Sequence, residues 1–208
     1  MGRINYLLID ETDKADDLEC EGEILERYFS SSRRVNDKRS VSHIHRKSDY
    51  LSKLKKGRAN KFNIIHLAAH GEYHKKQKNR LDRSAVYRKM DWVGKEVFCP
   101  DAIVRTELCA DVFVSTCCQT FNDHFLEVLK GYGKVRNYIA PVKGPFPGET
   151  IVFSLLFYNN LINRLSWHNG RIPDDKIINS FKLAQKAFKT YGGKGRFRIY
   201  NQSENLII

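Results

Sequence analysis

The stretch Asn63–Gly71, Asn-Ile-Ile-His-Leu-Ala-Ala-His-Gly, constrains this chain more than any other. A short apolar run closed by glycine predicts a buried strand and then a sharp turn. In an open α/β sheet, chemistry collects beyond the carboxyl ends of the strands. His70 is expected there, beside a glycine that lets another backbone approach closely.

The flanking segments supply the rest of such a sheet. Ile4–Ile9 reads as a first strand running into Asp10, Glu11 and Thr12. The acidic segment Asp10–Glu23 leads into a helix with Ile24, Leu25, Tyr28 and Phe29 at helical spacing. Val41–His45 predicts a second strand, Asp49–Lys56 a short helix capped by Gly57, and Phe62–Ala69 the third strand. This β-α-β-α-β order predicts parallel strands joined by right-handed crossovers. Gly71–Pro100 breaks the rhythm: it is basic up to Arg88 and then carries Met90, Trp92, Val93, Val97 and Phe98. A long segment of this kind predicts a mobile lid followed by a hairpin near Trp92–Phe98.

Asp101–Leu108 reads as a short helix or connector, and Asp111–Thr116 as a fourth core strand ending on Cys117-Cys118. Asn122 is placed to cap a helix through Gly131, and Val135–Val142 is a fifth strand. A Pro/Gly-rich loop, Lys143–Glu149, precedes an apolar helix over Thr150–Leu165. A further helix starts at Asp174, with Ile177, Ile178, Phe181, Ala184 and Phe188 along one face, and Phe197–Tyr200 is a final edge strand. No internal repeat or linker interrupts this order, so residues 1–208 read as one domain. The expected fold class is α/β: a three-layer sandwich whose mostly parallel central sheet of about six strands is flanked by helices.

Composition bounds the partners. The formal charge is +12, from 36 Lys and Arg against 24 Asp and Glu. That favours an acidic partner: nucleic acid, a nucleotide ligand or an acidic protein. The basic groups Arg33–Arg39, Lys53–Arg58 and His74–Arg83 interleave no aromatics as a base-stacking platform would, so no specific nucleic acid is expected. No run approaches the ~18 apolar residues of a membrane span, and the start, Met-Gly-Arg-Ile-Asn-Tyr, lacks a secretory core. The expectation is a cytoplasmic protein without a membrane partner. The cysteines Cys20, Cys99, Cys109, Cys117 and Cys118 are odd in number and form no Cys-x-x-Cys, which argues against a disulfide framework or a zinc ribbon.

The third and fourth strands thus end on an imidazole, His70, and a thiol, Cys117. Adjacent parallel strands lie ~4.8 Å apart, so their ends bring two side chains together. A thiol beside an imidazole is a nucleophile beside a base. The imidazole draws off the thiol proton and later protonates the leaving amine. The N–H groups of Gly71 and Cys117 are candidates for an oxyanion hole. His66 and His70 lie four residues apart, but the run reads as strand and lacks the glutamate of a zinc-protease motif. His66 is therefore read as a packing or orienting residue, and no metal or cofactor is expected.

A strand-terminal His-Gly followed by a strand-terminal Cys resembles the layout of caspase-like cysteine proteases. The sequence looks most like their CHAT branch, found in bacterial relatives of caspases and separase. The residues that carry the likeness are Ile65–Gly71, Val114–Cys117, Phe157-Tyr158 with Leu161, and Ala184 with Ala187. The resemblance implies a caspase-like fold and peptide-bond hydrolysis by a His70–Cys117 dyad. It also implies a regulated effector of bacterial antiviral defence or programmed cell death, switched on by a partner protein or a small nucleotide. The doubled cysteine leaves the register open by one residue. Alignment on the preceding strand selects Cys117, and a shift to Cys118 would point the side chain to the opposite face. Ser115 stands two residues before Cys117, where caspases carry a Gln and their metacaspase relatives an Asp that grips the substrate. Asp10 and Glu11 are expected to line the pocket and attract Lys or Arg. The alternative is a catalytically inactive caspase-like module that binds a nucleotide or protein partner.

Overall fold

The computed structural model describes residues 3–10, 21–36, 39–44, 61–73, 84–87, 97–98, 108–132, 134–145, 147–164 and 170–208. In chain order the strands are β1 (Tyr6–Asp10), β2 (Val41–Ile44), β3 (Ile64–Ala68), β4 (His70–Tyr73), β5 (Ser84–Tyr87), β6 (Val97–Phe98), β7 (Cys109–Ser115), β8 (Lys134–Pro141), β9 (Phe197–Asn201) and β10 (Leu206–Ile207). The helices among the described residues are α1 (Glu21–Ser31), α2 (Asp123–Tyr132), α3 (Pro147–Asn163) and α4 (Asp174–Thr190). Seven strands form the central sheet in the order β10-β9-β8-β7-β3-β1-β2. From β2 to β8 every pairing is parallel, while β9 and β10 are antiparallel.

Both faces of this sheet are covered, which is why β1 and β3 are apolar almost throughout rather than alternating. On one face Ile65, Leu67, Phe113 and Tyr138 meet Phe125, Leu126 and Leu129 of α2. On the other, Leu8, Ile64, Val112 and Ile139 meet α1 (Leu25, Phe29), α3 (Phe153, Phe157, Leu161) and α4 (Ile177, Phe181). Phe153 stacks on Phe197 of β9 with ring centroids 3.9 Å apart. The α4 positions Ile177, Ile178, Phe181, Ala184 and Phe188 are buried, as their spacing predicts. Asp174 and Asp175 suit the positive end of this helix, and Gly192 leaves it with φ +82°, a conformation glycine adopts without strain.

The structure departs from the sequence reading at three places. Part of the expected lid is strand: β4 and β5 pair antiparallel, His70 with Tyr87 through Tyr73 with Ser84, and β6 adds to β5. Only Val97–Phe98 of the expected hairpin is described. Phe197–Tyr200 is not the sheet edge, because the chain turns at 202–205, with Asn205 at φ +49°, and β10 pairs outside it. The apolar helix begins earlier than Thr150, with Pro147 at the start, where its missing N–H costs nothing. The expected helix over Asp49–Lys56 lies outside the described residues, as does nearly all of Asp101–Leu108.

At the amino ends of β3 and β7 a polar latch closes the sheet. The buried Asp111 accepts the Asn63 side-chain amide at 2.8 Å and the Ile172 N–H at 2.9 Å. Arg136 bridges it to Asp174, at 3.5 and 2.6 Å. The opposite end of the same strands is left to the candidate site.

Candidate active site

β3 and β7 are paired neighbours in parallel register, from Ile64 opposite Val112 to Leu67 opposite Ser115. The segments that leave them, Ala69-His70-Gly71 and Thr116-Cys117-Cys118, therefore start side by side at one end of the sheet. The Thr116 N–H continues the ladder one step further, to the Leu67 carbonyl at 3.0 Å. His70 then begins β4, so the chain passes directly from the large sheet into the small one. The side chain of His70 lies outside the described residues.

The cysteine turn is held from several directions. Ser115 and Thr120 join their hydroxyls at 3.0 Å, and Thr120 Oγ1 donates to the Cys117 carbonyl at 2.9 Å. Tyr138 donates its hydroxyl to the Thr120 carbonyl at 3.1 Å. Gln119 takes φ +58° at the apex. Asn122 Oδ1 accepts the Phe125 N–H at 2.9 Å and caps α2, as its position in the sequence predicts.

Within this turn the two thiols differ. Cys117 is fully buried on the α2 face with Phe113, Phe121 and Tyr138, and its thiol donates to the Leu67 carbonyl at 3.7 Å. Burial pushes its pKa up from the usual 9.0 to about 12, against the lowering effect of the Ser115 hydroxyl, and the nearby Glu21 charge adds to the rise. Cys118 is half-buried. Its neighbour is Gly144: a Cβ built there would stand 3.3 Å from the Cys118 sulfur.

The remaining expected site residues have identified places. Ser115 is buried and spends its hydroxyl on the turn, where it also accepts the Cys117 N–H at 3.4 Å. Asp10, expected at a pocket wall, is instead fully buried at the end of β1 and accepts the N–H of Gly22 in the first turn of α1. The close approach is possible because residue 22 is glycine: a Cβ there would fall 2.5 Å from the Asp10 side chain. Gly71 lies in β4. Glu11 lies outside the described residues.

On the face opposite Cys117 the structure holds a polar cluster not anticipated from the sequence. The carboxylate of Glu21, 5% exposed, sits between three elements. Thr116 Oγ1 donates to its Oε2 at 2.9 Å, and Ser154 of α3 donates to its Oε1 at 2.6 Å. His66 Nε2 lies 3.3 Å from Oε1, at ion-pair distance, and His66 Nδ1 is 2.9 Å from the Tyr158 hydroxyl. Burial would raise the Glu21 pKa, but the His66 imidazole and the two hydroxyl donors outweigh it and hold the carboxyl below its usual value. Burial, with the Glu21 charge, drives Tyr158 well above the ordinary phenol range, so its hydroxyl keeps its proton. The signal was present in the sequence: Glu21, Leu25 and Phe29 share one helical face, so Glu21 stands on the stripe that faces the core rather than in a solvated acidic loop.

Among the described residues no three His, Cys, Asp or Glu side chains are arranged to hold a metal ion, and no helix is long and apolar enough to cross a membrane. No protein-family model matches the chain, and no curated protein is detectably similar to it.

Proposed function

We propose that this chain is a cysteine endopeptidase of caspase-like, CHAT-type architecture. One observation carries the reading: the His-Gly and Cys-Cys segments leave paired parallel neighbours, β3 and β7, at the same end. In the proposed reaction His70 takes the proton of a cysteine thiol, and the sulfur attacks the peptide carbonyl carbon. The C–N bond breaks as His70 protonates the leaving amine. Water, deprotonated by His70, then cleaves the thioester, and the proton returns to the sulfur.

Of the doublet, we assign the attack to Cys118 in place of Cys117, which strand alignment selects. Cys117 is enclosed and its proton is held tightly, whereas a nucleophile needs access and an easily formed thiolate.

Comparing new protein N-termini in cells expressing wild type, Cys117→Ala and Cys118→Ala tests this assignment. Cleavage sites present in the first two and lost in the third are expected. The same sites in all three would remove the protease reading.

The enclosed Cys117 thiol favours a second reading, a caspase-like module that binds a nucleotide or protein partner without cleaving. A thiol-reactive peptide electrophile separates the two, since only an activated thiol reacts fast near neutral pH. In either case the resemblance supports a cytoplasmic role in antiviral defence or cell death. The net charge of +12 supports a small anionic nucleotide as trigger beside a partner protein. Calorimetry with candidate nucleotides tests this, and an absence of heat from all of them counts against it.

A further inference from the structure

We infer that Glu21 is a positioning residue for the reacting thiol, acting through Thr116. The inference rests on the thiol-protease reading and extends it to the opposite face of the sheet. Thr116 is the residue immediately before the Cys117-Cys118 doublet, and its hydroxyl is within 2.9 Å of Glu21 Oε2. His66, on the other side of the same carboxylate, lies on β3 four residues before His70. One buried carboxylate thus joins the two strands whose ends carry the proposed dyad.

The anchoring of that carboxylate is as important as its contacts. Glu21 stands in the first turn of α1, where the positive end of the helix favours an anion. Asp10 ties the next residue, Gly22, to the end of β1. Ser154 and Tyr158 bring α3 into the same cluster. Every member is nearly or fully buried, so none of these bonds competes with water.

The two faces of the turn therefore have different holders. On the α2 side Cys117 packs among aromatic rings, and the hydroxyls of Ser115, Thr120 and Tyr138 bond the turn on either side of it. On the α1 side the Thr116–Glu21 bond anchors the side chain of Thr116, two residues ahead of Cys118. A reacting group displaced by an ångström loses much of its rate, so a single hydrogen bond at this point has leverage.

The experiment measures the second-order rate of Cys118 modification by a peptide chloromethyl ketone, located by mass spectrometry, well below each variant's melting temperature. Thr116→Val removes the donor and nearly preserves shape; labelling is expected to slow about tenfold. Thr116→Ser restores the donor, and its rate should return to within about twofold of wild type. Asp111→Asn weakens the latch at the far end of β7; it should lower the melting temperature yet label like wild type. Wild-type speed in Thr116→Val, or equal slowing in Asp111→Asn, would show a merely structural bond and overturn the inference. If Thr116→Val does not fold, Thr116→Ala is held to the same two outcomes. A wild-type Cys118 no faster than free cysteine overturns the protease reading itself, and the positioning role falls with it.

Discussion

The Cys117 thiol donates to the Leu67 carbonyl across the β7–β3 boundary, at 3.7 Å. The same oxygen receives the Thr116 N–H at 3.0 Å and lies 3.4 Å from the Thr116 hydroxyl. Two donors, the Thr116 N–H and the Cys117 thiol, converge on the last ladder carbonyl before the two segments diverge, while the Thr116 hydroxyl gives its one proton to Glu21. The end of β7 is thereby locked to the end of β3, and the segments beyond both strands start from a fixed point. Cys117 is part of that lock, which is a structural task for a thiol.

Removing this thiol should change stability more than activity. Cys117→Ala deletes a small buried group and is expected to cost about 1–2 kcal/mol. It should also alter the alkaline limb. In the unfolded chain the thiol ionises near 9.0, in the folded protein at about 12. A group that keeps its proton longer when folded stabilises below the lower value and loses that contribution as pH rises toward the upper one. The slope is at most about 1.4 kcal/mol per pH unit. Urea midpoints measured on both sides of pH 9.0 should fall more steeply for wild type than for Cys117→Ala; parallel curves would contradict the burial argument.

Glu21 sets the acid limb. Its folded pKa is depressed below the ordinary 4.5. Its stabilising contribution is therefore complete above that value and is lost as pH falls through the folded pKa. Glu21→Gln should cost about 1–3 kcal/mol at neutral pH, because the buried Thr116 and Ser154 hydroxyls lose their charged acceptor and His66 loses the charge beside it. Below pH 4.5 the difference from wild type should narrow. Melting temperatures of both proteins across the acid range provide the check, and a constant offset would rule out this role.

Asp111 is the stability centre of the opposite end. Asp111→Ala strips partners from the Ile172 N–H and from Arg136 and should cost about 2–4 kcal/mol. Chemical denaturation measures it directly. A cost near zero would mean that solvent reaches the latch.

Gly144 is predicted to limit access to the Cys118 sulfur. A Cβ at this position comes within 3.3 Å of the Cys118 sulfur. Gly144→Val should slow Cys118 labelling by a bulky peptide electrophile about tenfold while leaving iodoacetamide labelling within about twofold. Equal effects on both reagents would point to a disturbed turn rather than a crowded sulfur.

Most of the framework is readable in the chain itself. Buried runs such as Ile64–Ala68 and helix faces such as Ile177–Phe188 declare themselves because burial imposes a period on neighbouring residues. The approach of the His-Gly and Cys-Cys segments is an expectation from successive parallel strands, and the pairing of β3 with β7 itself comes from the fold. The β4–β5 pairing is not readable, since short strands within a charged stretch carry too little alternation to register.

The difference between Cys117 and Cys118 was decided only by the tertiary structure. Two adjacent cysteines are chemically identical in sequence; they part when one turns toward Tyr138 and the other toward Gly144. The same holds for the Glu21 cluster. Its members Glu21, His66, Thr116, Ser154 and Tyr158 come together from α1, β3, α3 and the turn after β7 only by folding. Local pattern reports which side of an element is buried. Which partners meet there is set by packing among elements distant in sequence, and the chemistry of a buried charge depends on those partners alone.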